Sequence, residues 1–350
     1  MMGVLNHLST LLLLSLLPPA LSHVVKNFSV TDCEKFFLEG TTPNLPGILV
    51  DGIVKNEGQN QNRYKPICQN YNNIYRFATL YDTTNRIPVF SAYTFTGPGG
   101  KRPKNIPWKI EPQLEDIDIK EMKTQHEVKV LNNNKDIVNQ AVNTDYDANG
   151  RGLDRGHLFP CSHAPDDETK NSTFTLTNAV PQVGSFNRGR WRVMECNVRK
   201  YLELNCKNNN NKIEAYVVTG ALPNITNKLN NQVNIPDLLW TAYCCYNDKD
   251  KKWMAGAYWG ENKKDNGKIL TLETLGALEV KLKESYKVDG NVKVFHDKCP
   301  RNVNVQQVKR GREESGDGNG ERNIKMARTS RGLKECDEED GCDCDCDEKS

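Results

Sequence analysis

The chain has 350 residues, of which 37% are hydrophobic and 26% charged, and its formal net charge is +2. This balance excludes a strongly basic chain that binds polyanions through charge alone. Residues 23–300 carry a net charge of +5, which permits a polyanionic partner without requiring one. The length is sufficient for one large domain, or two small ones, with a sizeable core.

The first 22 residues have the pattern of a secretory signal peptide. An apolar run from Leu8 to Leu17 is followed by the small residues Ala20 and Ser22, which predicts cleavage before His23 and a secreted protein. The run is short for a bilayer span, so a membrane anchor and a buried helix are the less favoured alternatives. No later stretch is a transmembrane candidate.

Cysteine usage also fits secretion. Eight cysteines in the main part of the chain indicate disulfide bonds, and their connectivity stays open. They are Cys33, Cys68, Cys161, Cys196, Cys206, Cys244, Cys245 and Cys299. Because Cys244 and Cys245 are adjacent, we expect them to pair with different partners. Three N-glycosylation triplets begin at Asn27, Asn171 and Asn224.

The apolar pattern predicts an α+β fold with a central, mainly antiparallel β-sheet flanked by helices. Strands are expected at 74–82, 87–95, 213–220, 238–246 and 252–260. Helices are expected at 185–204, beginning near Asn187, and at 271–284, with a short one near 115–123. The tracts 143–150 and 207–211 are expected to be loops.

The composition changes at residue 301. Residues 301–350 are polar and glycine-rich, which predicts a disordered tail. The tail ends in a Cys/Asp/Glu tract over 334–350, which would suit soft metals or oxidation among its own cysteines. A solvated acidic tail without a catalytic part is the favoured interpretation.

The motif Asp154-Arg155-Gly156-His157 places a base, a cation and a glycine side by side. A neutral imidazole, whose ordinary pKa is about 6.5, accepts a proton from water near neutral pH. The planar fork of an arginine holds phosphate oxygens. Hydrolysis of a phosphodiester requires a base and a cation, and these two side chains could supply them.

A second set of polar residues follows about thirty residues later. Asn187, Trp191, Glu195 and Arg199 are spaced by four residues, which predicts that they form one stripe on a helix. An asparagine carboxamide is a hard oxygen ligand that could anchor Mg²⁺ beside a substrate phosphate. Trp191, Met194 and Val198 are expected to face the core.

Asp-Arg-Gly-His, followed by Asn187-Arg-Gly-Arg-Trp191 and a helix with Glu195, resembles the DNA/RNA non-specific endonucleases, the ββα-metal or His-Me finger nucleases. The signal segment, the eight cysteines and the length look most like the secreted, endonuclease domain-containing 1-like branch. The resemblance implies an embedded ββα-metal motif and an endonuclease domain at 23–300, with a core at about 60–285.

The resemblance also implies a role for each matched residue. His157 would be the general base, and Asn187 would be the one direct protein ligand of Mg²⁺, for which Mn²⁺ is a substitute. Arg155 and Arg199 would act on phosphate. Glu195 would reach the metal through water, and Asn178 would support the site. Asp154 and Gly156 would shape the motif, and Arg188 and Arg86 would contact the substrate backbone.

Two sets of residues near the motifs keep an alternative interpretation. Arg188, Arg190 and Arg192 form either a grip on the substrate backbone or a solvated basic face. The spacing of His157 and His163 imitates a metal-binding pair, but we expect His163 to be a surface loop residue, because one histidine suffices as the base.

The sequence is compatible with four functions. The first is a secreted, Mg²⁺-dependent endonuclease that cuts DNA and RNA with little sequence preference. The alternatives are a catalytically weak nucleic-acid-binding protein that keeps the fold, a phosphodiesterase acting on small nucleotides, and a metal-buffering role for the tail. Polymer and dinucleotide substrates would separate the first from the third, and truncation at Gly332 would test the fourth. The sequence does not specify an oligomeric state.

Overall fold

The computed structural model describes residues 24–302, apart from 31, 56–61, 102, 148, 149 and 151. The predicted signal peptide, and the predicted tail from residue 303 onward, lie outside the described residues.

The strands are numbered in chain order. They are β1 (Leu49–Val50), β2 (Ile53–Val54), β3 (Tyr64–Tyr71), β4 (Ile74–Asp82), β5 (Ile87–Phe95), β6 (Lys109–Ile110), β7 (Lys123–Thr124), β8 (Leu153–His157), β9 (Ala179–Val183), β10 (Ala215–Leu222), β11 (Lys228–Leu229), β12 (Val233–Asn234), β13 (Leu238–Asn247) and β14 (Lys252–Glu261).

The helices follow the same convention. The α-helices are α1 (Gln125–Leu131), α2 (Asn143–Asp147), α3 (Asp167–Thr173), α4 (Gly184–Phe186), α5 (Arg192–Asn205) and α6 (Leu275–Tyr286), and one π-helical turn, Asn187–Trp191, joins α4 to α5. Short 3₁₀ helices cover Phe28–Val30, Asp32–Phe36, Leu38–Gly40, Pro112–Glu115, Cys161–His163 and Leu176–Asn178.

A six-stranded antiparallel sheet runs through the middle of the fold, in the order β14-β13-β10-β5-β4-β3. Its central strands are buried on both faces, because β-branched and aromatic side chains alternate between two hydrophobic clusters. In β13, Trp240 and Ala242 belong to one cluster, whereas Leu239 and Tyr243 belong to the other. The sheet therefore carries a packed layer on each side.

The two layers come from different parts of the chain. Helix α6 packs on the first face through Leu275, Leu278 and Leu282, together with the N-terminal 3₁₀ segments. The second face is covered by β8, β9 and the helical segment that follows β9. This second layer carries the motif residues of the sequence.

Three disulfides join described residues: Cys33–Cys68, Cys206–Cys245 and Cys244–Cys299. The expectation that Cys244 and Cys245 have different partners is confirmed. Adjacent residues of a strand point to opposite faces, so Cys245 is bonded to Cys206 at the end of α5 and Cys244 to Cys299 in the α6 layer.

The predicted α+β class and the antiparallel sheet are confirmed, and β4 and β5 begin and end at the predicted residues. The short helix predicted near 115–123 is wrong. Asp116 adopts a left-handed conformation that ends the Pro112–Glu115 turn, and helix α1 begins only after Thr124, which forms a capping box with Glu127.

The prediction that 143–150 is an open loop is also wrong for its first part, because Asn143–Asp147 forms helix α2. The Asp145 carboxylate accepts a hydrogen bond from the Val142 N–H at 2.9 Å and closes the start of this helix. Within the described part of the chain, no helix has both the length and the apolarity needed to cross a membrane.

Candidate active site

The Asp154–His157 motif lies on strand β8, which pairs with β9 in antiparallel register, so that Asp154 faces Gln182 and His157 faces Ala179. Strand β9 leads directly into α4 at Gly184. The two paired strands and the helical segment that follows β9 therefore form a ββα unit, in which residues 158–178 connect the strands. The sequence did not indicate these two strands, because Gly156 and Pro181 interrupt their pattern.

The helical segment of this unit is distorted where the Asn187 motif begins. Asn187–Trp191 is a π-helical turn, and Gly189 within it has φ −96° and ψ −119°. A Cβ at Gly189 would lie 2.0 Å from Asp265 Oδ2, the atom that accepts a hydrogen bond from the Arg190 N–H at 3.0 Å. The glycine thus lets Asp265 hold the distorted backbone.

The distortion corrects the prediction that Asn187, Trp191, Glu195 and Arg199 form one stripe of a regular helix. A π-turn rotates Asn187 relative to the regular α-helix α5 that carries the last two residues. Trp191 is buried, together with Met194 and Val198, which confirms that these three face the core. Asn187, Glu195 and Arg199 are half-buried.

Asp154 receives two residues of the π-turn. The amide Nδ2 of Asn187 donates to Asp154 Oδ2 at 3.0 Å, and Nη1 of Arg188 donates to Asp154 Oδ1 at 2.7 Å. The side chain of Asp154 is 12% exposed, and that of Arg188 is 50% exposed. The carboxylate therefore fixes the start of the helical segment against strand β8.

His157 and Arg155 lie on the other face of β8, since side chains alternate along a strand. The ring of His157 packs between Trp108, at 5.0 Å between ring centroids, and Phe174, at 4.9 Å. The guanidinium of Arg155 lies 5.7 Å from the Trp108 ring centroid and 5.3 Å from that of Tyr146. Trp108 thus contacts both the candidate base and the candidate phosphate-binding cation.

Arg155 is also bonded to helix α2. Its Nη2 forms an ion pair with Asp147 and a 3.4 Å contact with the Asn143 carbonyl oxygen. Asp147 is 58% exposed on its side chain, so this ion pair is screened by water and weak. A phosphate could replace Asp147 at the guanidinium at little cost.

Gly156 is required by the packing of β8 on its neighbour. A Cβ at this position would lie 1.9 Å from Gln182 Oε1 and 2.7 Å from Gln182 Cβ. Gln182 is fully buried, and neither polar atom of its side chain makes a hydrogen bond within the described part of the chain. The glycine therefore makes room for a buried amide beside the motif.

Asn178 holds the chain just after His157. Its Oδ1 accepts from the Phe159 N–H at 2.9 Å and from the Ser91 hydroxyl at 2.8 Å, and its Nδ2 donates to the Phe159 and Thr173 carbonyls. Asn178 is fully buried. Its contacts support the loop and tie it to β5, so a part in the chemical step would be indirect.

Glu195, Arg199 and Arg190 lie on the helical segment that follows β9. Glu195 and Arg199 lie on α5, and Arg199 forms an ion pair with Glu203 at 3.5 Å. Arg190 donates through Nη2 to the Glu261 carbonyl at 3.2 Å and stacks on Phe186. Arg190 is therefore a structural residue rather than a free grip on the substrate backbone.

Arg86 lies at the end of the β4–β5 turn and donates to the Gln232 side chain. It also lies near Asp145 of α2, the helix that supplies partners to Arg155. The structure thus places Arg86 beside a supporting element of the motif and joins it to Gln232 rather than to β8.

The prediction that His163 is a surface loop residue is wrong. The side chain is 2% exposed, and it is bonded to Tyr93 and to the Glu195 carbonyl. The pKa of His163 is lowered to about 4, mainly because the ring is buried; the hydrogen bond to the Glu195 carbonyl opposes this effect, and the charge of Arg199 adds to it.

Sequence reasoning missed Trp108, Phe174, Gln182 and Asp265. Trp108 had a signal, because it is the one tryptophan in the otherwise polar tract 100–150. The other three contact the motifs only through the folded chain.

The oxygen donors at the start of the π-turn fit a hard divalent cation. The bond to Asp154 uses Nδ2 of Asn187 and leaves Oδ1 as the ligand atom of the amide. The described residues contain no group of three or more His, Cys, Asp or Glu side chains arranged to hold a metal. A cation here would therefore depend on Asn187, with water and substrate oxygens completing its shell, as suits Mg²⁺.

The antiparallel pair β8–β9, followed by the helical segment that carries Asn187, defines the chain as a ββα-type protein built on an antiparallel sheet. Residues 58–302 match the family of DNA/RNA non-specific endonucleases, and the chain belongs to this family. The family is metal-dependent.

The chain is similar to two curated relatives named endonuclease domain-containing 1 protein. It is 33% identical to the one from Homo sapiens over 219 residues, which cover 61% of this chain and 39% of the relative. It is 30% identical to the one from Mus musculus over 216 residues, which cover 61% of this chain and 38% of the relative. The chain thus spans about two fifths of the length of these relatives.

Two further similarities are more limited. Nuclease C1 of Cunninghamella echinulata var. echinulata is 39% identical over 79 residues, which cover 22% of this chain and 28% of that protein. A chain of the EndoG/EndoGI complex is 22% identical with a TM-score of 0.42, and the match covers 59% of this chain and 80% of that one.

Proposed function

We propose that the chain is a secreted, Mg²⁺-dependent endonuclease that hydrolyses phosphodiester bonds of DNA and RNA with little sequence preference. The observation that carries the proposal is the ββα unit, which places His157 and Asp154 on one strand and joins Asp154 to Asn187 at 3.0 Å. Asp154 and His157 are three residues apart on this strand, about 10 Å along its axis.

In the proposed reaction, His157 Nε2 or Nδ1 accepts the proton of the attacking water, whose oxygen forms the new bond to phosphorus. The bond from phosphorus to the 3′ oxygen breaks, this oxygen takes a proton from solvent water, and the products are a 5′-phosphate and a 3′-hydroxyl. Trp108 and Phe174 confine the imidazole ring, so that little motion is needed before proton transfer.

The other side chains act on charge. Arg155 would exchange its exposed partner Asp147 for a phosphate oxygen of the substrate. Asn187 Oδ1 would hold the divalent cation, with Asp154 fixing the orientation of the amide. A bound divalent cation supplies Lewis-acid stabilisation of the charge that develops on the phosphate and the leaving oxygen. Contacts of this kind read the backbone and carry no sequence information.

The test is cleavage of supercoiled plasmid by the full-length protein from the medium of expressing cells, with Mg²⁺ and with EDTA. Wild type should nick and linearise the plasmid only with Mg²⁺, and His157→Ala should be slower by about 10²–10⁴-fold, the usual value of a general base. The matched control is His126→Ala, an exposed residue of α1, which should match wild type.

A binding assay with an oligonucleotide in EDTA, without competitor DNA, separates the main alternative from the proposed function. If wild type and His157→Ala bind DNA equally and neither cleaves it, the chain is a nucleic-acid-binding protein with a retained fold. Cleavage of a dinucleotide but not of plasmid would indicate a small-molecule phosphodiesterase.

The disulfides support secretion, since disulfides persist in oxidising compartments. The proposal also includes N-glycosylation at one or more of the three triplets. Expression in animal cells, followed by glycosidase treatment and non-reducing gels of cells and medium, tests both points. Retention of unglycosylated, reduced protein in the cytosol would contradict them.

A further inference from the structure

His163 lies between the central sheet and the helix of the ββα unit, and it forms a hydrogen bond with each of them. Its Nδ1 is 2.8 Å from the Tyr93 hydroxyl of β5, and its Nε2 is 3.0 Å from the backbone carbonyl oxygen of Glu195 in α5. The side chain is 2% exposed, with the rings of Tyr93 and Phe95 beside it. Nothing in the proposed chemistry uses this imidazole.

The partners fix the form of the imidazole. A carbonyl oxygen only accepts hydrogen bonds, so Nε2 carries the hydrogen and donates to Glu195. Nδ1 of the neutral ring is then an acceptor, and the Tyr93 hydroxyl donates to it. The Tyr93 hydroxyl in turn is bonded to Thr219, whose hydroxyl lies 2.8 Å from that of Thr241. A directed chain of hydrogen bonds therefore runs from three strands of the sheet to the helix.

The attachment falls at a position where the helix needs one. The π-turn Asn187–Trp191 breaks the regular backbone hydrogen bonding immediately before α5. Glu195 lies one turn beyond this break, and its carbonyl has a second lone pair for a donor outside the helix. A bond at this point sets the position of the regular helix independently of the distorted turn.

His163 is also close in sequence to the candidate base. Five residues separate it from His157, and among them the Phe159 backbone is held by Asn178, which is hydrogen-bonded to Ser91. Ser91 and Tyr93 belong to the same strand, β5. One short segment thus connects the strand of His157 and the helix of Glu195 to the same element of the sheet.

We infer that His163 is a positioning residue for Glu195, which it holds at a fixed place relative to His157 by bonding the Glu195 backbone to Tyr93. The kinetic part of this inference rests on the proposed nuclease function. Its structural part, the attachment of α5 to the sheet, does not.

A double-mutant cycle on the full-length protein tests the inference. His163→Leu removes both hydrogen bonds, whereas His163→Gln keeps an amide N–H for Glu195 and an amide oxygen for Tyr93. Each change is made in wild type and in Glu195→Ala, and kcat and KM are measured on an oligonucleotide with Mg²⁺. His126→Leu is the matched control on an exposed helix.

We expect His163→Leu to lower kcat by about 10–100-fold, the usual effect of losing a supporting hydrogen bond at a metal site, with KM little changed. His163→Gln should recover most of the loss. In the Glu195→Ala background, His163→Leu should change kcat less than threefold. An equal loss in both backgrounds would overturn the inference, because it would show that His163 does not act through Glu195.

Amide hydrogen exchange over residues 192–199 provides a readout without catalysis. His163→Leu should speed exchange there, and His163→Gln should restore the wild-type rates, even if the protein cleaves nothing. Absence of wild-type cleavage together with this pattern would reject the proposed function and keep the attachment. Unchanged exchange in His163→Leu would overturn the inference whether or not the protein is a nuclease.

Discussion

Asn187 Nδ2 donates to Asp154 Oδ2 at 3.0 Å, across 33 residues of sequence. This bond decides which end of the Asn187 amide is left for a ligand, since the nitrogen is used and the oxygen is not. Asp154 therefore does more than complete the motif, because it sets the orientation of the proposed metal ligand.

Replacement of Asp154 tests this orientation. Asp154→Ala should raise the Mg²⁺ concentration for half-maximal activity by about 10–100-fold, because the amide is no longer held. Asp154→Asn keeps an acceptor and should have a smaller effect. Asp250→Ala serves as the control, since it removes an exposed carboxylate of the β13–β14 turn that pairs with Lys252. An unchanged Mg²⁺ dependence in Asp154→Ala would contradict the assignment.

Trp108 is expected to act on two residues at once. Trp108→Ala should lower kcat, because the His157 ring loses one of its two aromatic neighbours, and should raise KM by about two- to fivefold, because Arg155 loses a cation–π contact. Trp108→Phe should retain most of both. Steady-state kinetics on an oligonucleotide measure these values.

Trp253 of the edge strand β14 offers the comparison for this experiment. Trp253→Ala removes a tryptophan of similar exposure from the far side of the sheet and should leave kcat and KM unchanged. Equal losses in the two variants would mean that Trp108 acts only through stability.

Gly156→Ala should destabilise the fold by about 1–3 kcal/mol, since the added methyl overlaps Gln182 and a packed core accommodates extra volume poorly. Urea unfolding measures the change. A second substitution, Gln182→Ser, should restore part of the loss by clearing the space. Gly100→Ala is the control, because a Cβ at Gly100 meets no atom within 4 Å. Equal stability of Gly156→Ala and wild type would contradict the close packing.

The stability of the protein should depend on pH through His163. Its folded pKa is about 4, below the ordinary value of 6.5, so the unfolded chain binds a proton over a range in which the folded chain does not. The free energy of unfolding is therefore not reduced by His163 above pH 6.5. As the pH falls towards 4, it decreases by about 3 kcal/mol in total because of this group.

Carboxylates titrate in the same range, so the difference between wild type and His163→Gln is the informative quantity. Urea unfolding at pH 7.5, 6, 5 and 4 should show that this difference narrows as the pH falls. A difference that is constant with pH would show that His163 binds its proton equally well in both states.

The main sheet could be predicted from the sequence because its strands carry a dense local signal. The residues of β4, β5 and β13 are mostly apolar and buried on both faces, so each segment indicates its own conformation. Strand β3 gave no such signal, since the buried polar residues Gln69 and Asn70 interrupt its apolar pattern, and Gln69 is hydrogen-bonded to Thr79 and Thr177.

The candidate residues could be named from their spacing, but their arrangement could not. The spacing of four predicts a regular stripe, whereas the π-turn is held by Asp265, 75 residues beyond Arg190. The burial of His163 depends on Tyr93, 70 residues earlier, and on Glu195, 32 residues later. Contacts of that range are set by the packing of the layers, and a local pattern does not contain them.

The disulfides of Cys244 and Cys245 determine what happens when a protease cuts the chain. A cut in the exposed loop 207–211 separates two pieces that Cys206–Cys245 still joins, and a cut in the turn 248–251 separates two pieces that Cys244–Cys299 still joins. Nicked protein would therefore run as one band on a gel without reductant and as fragments with it. Because adjacent residues of β13 carry both disulfides, a molecule cut in either of these segments stays in one covalent piece.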